Sequence, residues 1–104
     1  MIAEVRIYTM NRGKLDDFVK LWNEKLAPIH AKYGLKILGA WVNRPQNEFV
    51  WIRVFESVAD RDAKTKQYME SPERRALGDA PQQLEAKIEV RTVEDVFAPA
   101  PAVV

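Results

Sequence analysis

The sequence contains no cysteine, which excludes a disulfide framework, a thiolate zinc site and a cysteine nucleophile together. Histidine occurs once, at His30. With no convergent carboxylates beside it, the usual transition-metal ligand sets are incomplete, and no metal site is expected. The four glycines, Gly13, Gly34, Gly39 and Gly78, are isolated, so no glycine-rich loop cradles phosphates and no nucleotide or other cofactor is indicated. Charge of one sign is also missing. Sixteen Lys and Arg stand against 15 Asp and Glu in 104 residues, leaving no basic field to gather nucleic acid or anionic lipid. No apolar run approaches the roughly 20 residues of a membrane span, and no basic segment followed by an apolar stretch opens the chain. A cytoplasmic protein with no nucleic-acid partner and no membrane span is the expectation.

What is present is strongly patterned. Residues 2–9 alternate and are rich in Ile, Val, Tyr and Thr, which predicts a strand. Asn11, Arg12 and Gly13 supply a turn. Over 14–33 the apolar residues Leu15, Phe18, Val19, Trp22, Leu26, Ile29 and Tyr33 fall within roughly 60° of one meridian of a helical wheel, so this segment is an amphipathic helix. Pro28 should kink or break it near Ala27, and Gly34 stands where it should end. Strands are predicted over 35–43 and 48–56, joined as an antiparallel hairpin across Arg44, Pro45, Gln46 and Asn47. Ser57 followed by Asp60 reads as the cap of a second helix over 58–69. Ser71 and Pro72 end it, and a further helical turn over 73–77 is expected before a fourth strand at 84–93. The order βαββαβ is the ferredoxin-like plan of the α+β class, with the first and third strands central in an antiparallel four-stranded sheet. One domain over 1–97 and a flexible Pro/Ala-rich tail over 98–104 complete the division of the chain.

The third strand is apolar on both sides: Val50, Ile52 and Val54 on one, Phe49, Trp51 and Phe55 on the other, interrupted by Arg53. Such a strand is covered on both faces. Four strands at ~4.8 Å spacing make a sheet about 20 Å wide, which two helices of ~10 Å diameter cover on one face only. A second copy of the chain is the simplest cover for the other. The alternative is that the tail or residues 73–83 fold across it.

Several stretches together resemble the NIPSNAP family, within the larger set of dimeric α+β barrel proteins. They are the opening EVRIYTMNRGKLDDF, LWNEKLAPIHAKYG with Trp22, Pro28, Ile29, Tyr33 and Gly34, then GAWV, VFESVADRDAK with Arg61, and SPERR. The resemblance spans about residues 3–78. Phe55 stands where the family often has Tyr, and Arg74 where an aromatic is common. The resemblance implies a homodimer in which two ferredoxin-like sheets join into a barrel, with clefts between sheet and helices. It implies no defined reaction.

Candidate site residues follow from the strand and helix periods. Glu4, Arg6 and Tyr8 project to one face of a central strand, so burial demands partners for each. Glu4 can neutralise Arg6 or Arg53. The trio is a structural ion pair, an anion or carbonyl site formed by Arg6 with Tyr8 as donor, or a solvated face. The second helix presents Val58, Arg61, Asp62, Thr65, Tyr68 and Met69 on one side, an unusually polar inner face. Arg61 can bind a ligand carboxylate or pair with Glu56 or Asp62, and Tyr68 reads as core before catalyst. His30, at the edge of the first helix's apolar stripe, reads either as a surface or boundary residue or as a proton-transfer group near neutral pH.

Three functions fit. The first is a dimeric barrel binding a small apolar or aromatic molecule between sheet and helices, with Trp41, Trp51 and Tyr68 as walls and Arg6, Tyr8, Arg53 or Arg61 orienting a polar end. The second is an enzyme resembling the cofactor-free monooxygenases or isomerases of related barrels, with Tyr8 or His30 moving the proton. The third is a protein-interaction scaffold working through its sheet.

Overall fold

Alternation in the first strand, β1 (Ile2–Met10), divides its side chains between two environments. Ile2, Glu4, Tyr8 and Met10 are buried, whereas Ala3, Val5, Ile7 and Thr9 are half-buried. The computed structural model describes residues 1–97, and the expected tail at 98–104 lies outside the described residues. β1 is followed by α1 (Leu15–Leu21), a π-helical turn (Trp22–Leu26) and α2 (Ala27–Lys32), then β2 (Lys36–Asn43), β3 (Glu48–Phe55), α3 (Val58–Glu70), α4 (Pro72–Ala76), α5 (Ala80–Leu84) and β4 (Glu85–Glu94). The sheet order is β2-β3-β1-β4 with every neighbouring pair antiparallel. This is the ferredoxin-like arrangement.

Of the two outcomes expected at Pro28, a kink or a break near Ala27, the break does not occur. Pro28 lies in the first turn of α2, where its missing N–H removes a donor from the ladder. The preceding turn has widened instead, so that the Ala27 N–H reaches back to the Trp22 carbonyl, and α1 and α2 run on as one rod. Gly34, at φ 74°, ends it in the left-handed region that side chains avoid.

The register fixes which side chains share a face. Ile2, Glu4, Arg6 and Tyr8 stand opposite Phe55, Arg53, Trp51 and Phe49, and this is the side on which the helices pack. Tyr8, Met10, Leu15, Phe18, Trp22, Leu26, Phe49 and Trp51 form one core cluster, and Ile2, Ile29, Leu35, Phe55 and Tyr68 a second. The aromatic side of β3 is therefore covered within the chain. The aliphatic side is not: Val50 and Ile52 are only half-buried, although Val54 is buried. The segment expected as a possible cover for that face lies elsewhere, because Pro81 and Gln82 wall a cavity on the helix side.

Candidate functional site

A cavity of about 320 Å³ opens between the sheet and the helices. Its floor is the buried face of β1 and β3. There the carboxylate of Glu4 accepts from Arg53 Nε at 2.5 Å and from Arg6 Nη1 at 3.4 Å. Both partners expected for Glu4 are thus engaged by one oxygen, and the charged trio of the opening strand is a buried ion network. Arg6 Nε donates to the Tyr8 hydroxyl at 2.8 Å, and the Arg6 guanidinium lies 5.4 Å from the Trp51 ring centre, a cation–π distance. The second amino group of Arg6, Nη2, makes no hydrogen bond among the described residues.

Aromatic rings pack against this floor. Trp22 sits 4.7 Å from Trp51 and 5.0 Å from Phe49, and Tyr8 meets Phe18 and Trp51 edge-on at 5.8 and 6.1 Å. Burial pushes the Tyr8 phenol up, against the lowering influence of Arg6, so the hydroxyl stays protonated as a donor. Tyr68, from α3, closes the far wall and stacks 4.3 Å from His30.

His30 is buried with both ring nitrogens occupied. Nδ1 lies 2.8 Å from the Leu26 carbonyl and donates to it, and Nε2 accepts from Arg53 Nη1 at 3.3 Å. Burial pulls its pKa down to about 4, helped by Arg53, Arg6 and Arg74. The ring is a neutral strut between the helix and Arg53, with no free lone pair to take a proton.

Of the residues expected at the site, Arg6, Tyr8, Trp51, Arg53, Tyr68 and His30 line one cavity. Trp41 and Arg61 do not. A register shift in β2 between Ile37 and Gly39 aligns Gly39 and Trp41 with the open face of the sheet, where Trp41 is 53% exposed and its indole lies across Gly39. Arg61, in the first turn of α3, is half-buried and engaged by Asp62 at 3.1 Å and Thr92 at 3.4 Å, away from the cavity lining. Its partner is Asp62, one of the two acids expected.

A family model for NIPSNAP matches residues 3–99. The chain belongs to the NIPSNAP family. Solved NIPSNAP structures share its fold: an uncharacterised NIPSNAP domain protein from Burkholderia xenovorans is 22% identical over 95% of this chain and 99% of its own, with a TM-score of 0.86. A NIPSNAP family protein from Agrobacterium tumefaciens is 24% identical over 95% and 97%, with a TM-score of 0.87. At 11% identity, a candidate antibiotic biosynthesis monooxygenase from Nitrosomonas europaea superimposes over 93% of this chain and all of its own, TM-score 0.71, which relates the NIPSNAP fold to that of the monooxygenases. No curated protein matches the chain.

Several residues of this NIPSNAP cavity were not among those singled out as ligand-binding from the sequence, Arg74, Thr65 and Glu85 among them. Arg74, buried at the start of α4, donates to the Gly78 carbonyl at 3.1 Å. Thr65 lies on the polar inner face of α3, the feature that signalled it. Glu85 had no such signal. It is the first residue of β4, and strict alternation with Lys87, Glu89 and Arg91 assigns it to the opposite side of the sheet. A register shift between Thr9 and Met10 sets it beside Met10 instead, and so turns it into the helix layer. Bulges re-aim side chains in this way. Burial pushes the Glu85 carboxyl up to about 7, against Arg6 and Arg74. Among the described residues no group of three or more His, Asp or Glu is placed to hold a metal ion, and no helix is long and apolar enough to cross a membrane.

Proposed function

We propose that this NIPSNAP protein works as a homodimer, each chain binding in its own cavity a small molecule with an apolar or aromatic body and an anionic end. The observation that carries the reading is the make-up of the cavity. It combines the rings of Tyr8, Phe18, Trp22, Trp51 and Tyr68 with three arginines, Arg6, Arg53 and Arg74, against only two carboxyls, Glu4 and Glu85. Concave apolar sites with a few fixed polar groups are the usual form of small-molecule pockets. Glu4 is committed to Arg6 and Arg53, and Arg74 has a neutral carbonyl as partner, so positive charge is left over. An aromatic acid matches this surplus: its ring against Trp51 and Tyr8, its carboxylate on Arg6. One domain over 1–97 is part of the same proposal.

An enzyme using His30 as its base has no support in this geometry, because the imidazole has both nitrogens engaged and its pKa depressed. The monooxygenase likeness rests on 11% identity, which speaks for the fold alone.

Isothermal titration calorimetry with 2-naphthoate tests the reading. Saturable binding near one molecule per chain, weakened about ten-fold or more in Arg6→Ala, is expected. Absence of saturable binding by the native protein, or binding indifferent to Arg6→Ala, leaves the sheet surface rather than the cavity as the working part.

A further inference from the structure

Three buried side-chain atoms have no hydrogen-bond partner among the described residues: Trp51 Nε1, Thr65 Oγ1 and Glu85 Oε2. They come from β3, α3 and β4, three separate elements, and all three residues line the same cavity. Native proteins leave few buried polar atoms unsatisfied, and each one costs stability. Three in one enclosure is the pattern of a site whose missing partners belong to a ligand.

Their chemistry is not uniform. An indole N–H only donates, an ionised carboxylate only accepts, and a threonine hydroxyl does either. A ligand that satisfies them must offer an acceptor to Trp51 and a donor to Glu85. The three arginines lining the cavity leave Glu85 Oε2 unpaired, and an irregular register delivers that carboxyl to the cavity in place of the side chain regular pairing would set there. The two polar stations are anchored apart on the backbone: Arg6, beside Trp51, and Met10, beside Glu85, are four residues from one another along β1, roughly 13 Å.

We propose that the cavity selects elongated aromatic acids that carry a hydroxyl at the end remote from the carboxylate, with Glu85 accepting the hydroxyl proton in a hydrogen bond while Arg6 and Trp51 Nε1 hold the oxyanion. The inference rests on the small-molecule reading above and adds to it the donor that the ligand must bring. Thr65 serves as an adaptable second partner within the cavity. No covalent step is involved.

Calorimetry at pH 8 with three probes of equal ring size decides it: 2-naphthoate, 6-hydroxy-2-naphthoate and 6-methoxy-2-naphthoate. The hydroxyl compound should bind at least about ten-fold more tightly than either of the others, the margin of one hydrogen bond to a charged acceptor. In Glu85→Leu that ratio should fall to about one. The same substitution should raise the thermal midpoint, because burial disfavours that carboxylate more than Arg6 and Arg74 favour it. If 2-naphthoate binds the native protein and the hydroxyl confers no advantage over methoxy, the Glu85 assignment is wrong and the pocket stands. An advantage that survives Glu85→Leu overturns it equally. If none of the three probes binds, the pocket reading falls with it.

Discussion

His30 and Glu85 line one cavity with their proton affinities displaced in opposite senses. Burial holds the imidazole down to about 4, with Arg53, Arg6 and Arg74 adding to the effect, and lifts the carboxyl up to about 7 against Arg6 and Arg74. Between about pH 4 and 6.5 the unfolded chain carries a proton on His30 that the folded chain does not, so this residue makes stability rise with pH. Between about pH 4.5 and 7 the folded chain carries a proton on Glu85 that the unfolded chain has lost, so this one makes stability fall. The windows overlap and the two slopes oppose one another. In Glu85→Gln the stability from urea unfolding should therefore climb more steeply from pH 4.5 to 6.5 than in the native protein. In His30→Gln it should decline over the same interval. Parallel pH profiles for the native protein and both variants would show that neither group is perturbed by its surroundings. At this scale the sequence was partly legible. The two-residue period was enough to place Glu4, Arg6 and Tyr8 together on a central strand, and charge neutrality was enough to demand their pairing. Glu85 was hidden because its facing depends on one inserted residue in the β1–β4 ladder, and no local composition marks such an insertion.

Each turn of the chain that shapes the cavity is fixed by a local device. At the junction of α3 and α4, the buried Ser71 hydroxyl donates to the Tyr68 carbonyl at 2.7 Å and accepts from the Arg74 N–H at 3.1 Å. One side chain thus ties the last turn of α3 to the first turn of α4, with Pro72 preset for the helix start. Both of the residues it grips, Tyr68 and Arg74, line the cavity. Ser71→Ala should cost about 1–2 kcal/mol by urea titration, the upper range for loss of an N-cap, because two backbone groups lose their partner in a buried setting. It should also weaken 2-naphthoate binding, whereas Ser57→Ala, which removes the exposed cap of α3, should lower stability less and leave binding alone. The element boundaries were well marked in the sequence: the capping Ser57, the Ser71-Pro72 pair and Gly34 each carry a backbone requirement that few residues meet. At Pro28 the mark was partial. A proline removes one donor wherever it falls, but whether the helix breaks or widens by a residue is decided by what the rod packs against. Here Trp22 and Leu26, within the π turn, are both buried in the aromatic core, so widening keeps them in place where a break would expose them.

The molecule is two layers with unequal demands on its two surfaces. The helix side of the sheet is filled by aromatic rings and holds the cavity; the other side presents Ala3, Val5 and Ile7 from β1 beside Val50, Ile52 and Val54 from β3, with Trp41 folded over Gly39 at its margin. Central strands left half-covered by apolar side chains are a stronger reason for self-association than scattered surface leucines, because the patch is contiguous and its backbone is already fully paired. Area alone could not say from the sequence which side of β3 is the uncovered one, since both are apolar; the burial of Phe49, Trp51 and Phe55, with Val50 and Ile52 only half-buried, settles that the aromatic side faces inward. A charge at the centre of the aliphatic patch should then separate the copies. Ile52→Glu is expected to convert a species of twice the 12.0 kDa chain mass into one of that mass, measured by size-exclusion chromatography with light scattering. Naphthoate binding should persist in the separated chain. The cavity lies across the sheet from Ile52, which pairs with Val5 and so projects from the face opposite Arg6 and Tyr8. A native protein that already runs as a single chain would remove the reason for the patch. Joint loss of association and binding in Ile52→Glu would instead mean that the partner's sheet holds β1 and β3 in the register on which Arg6, Tyr8 and Trp51 converge.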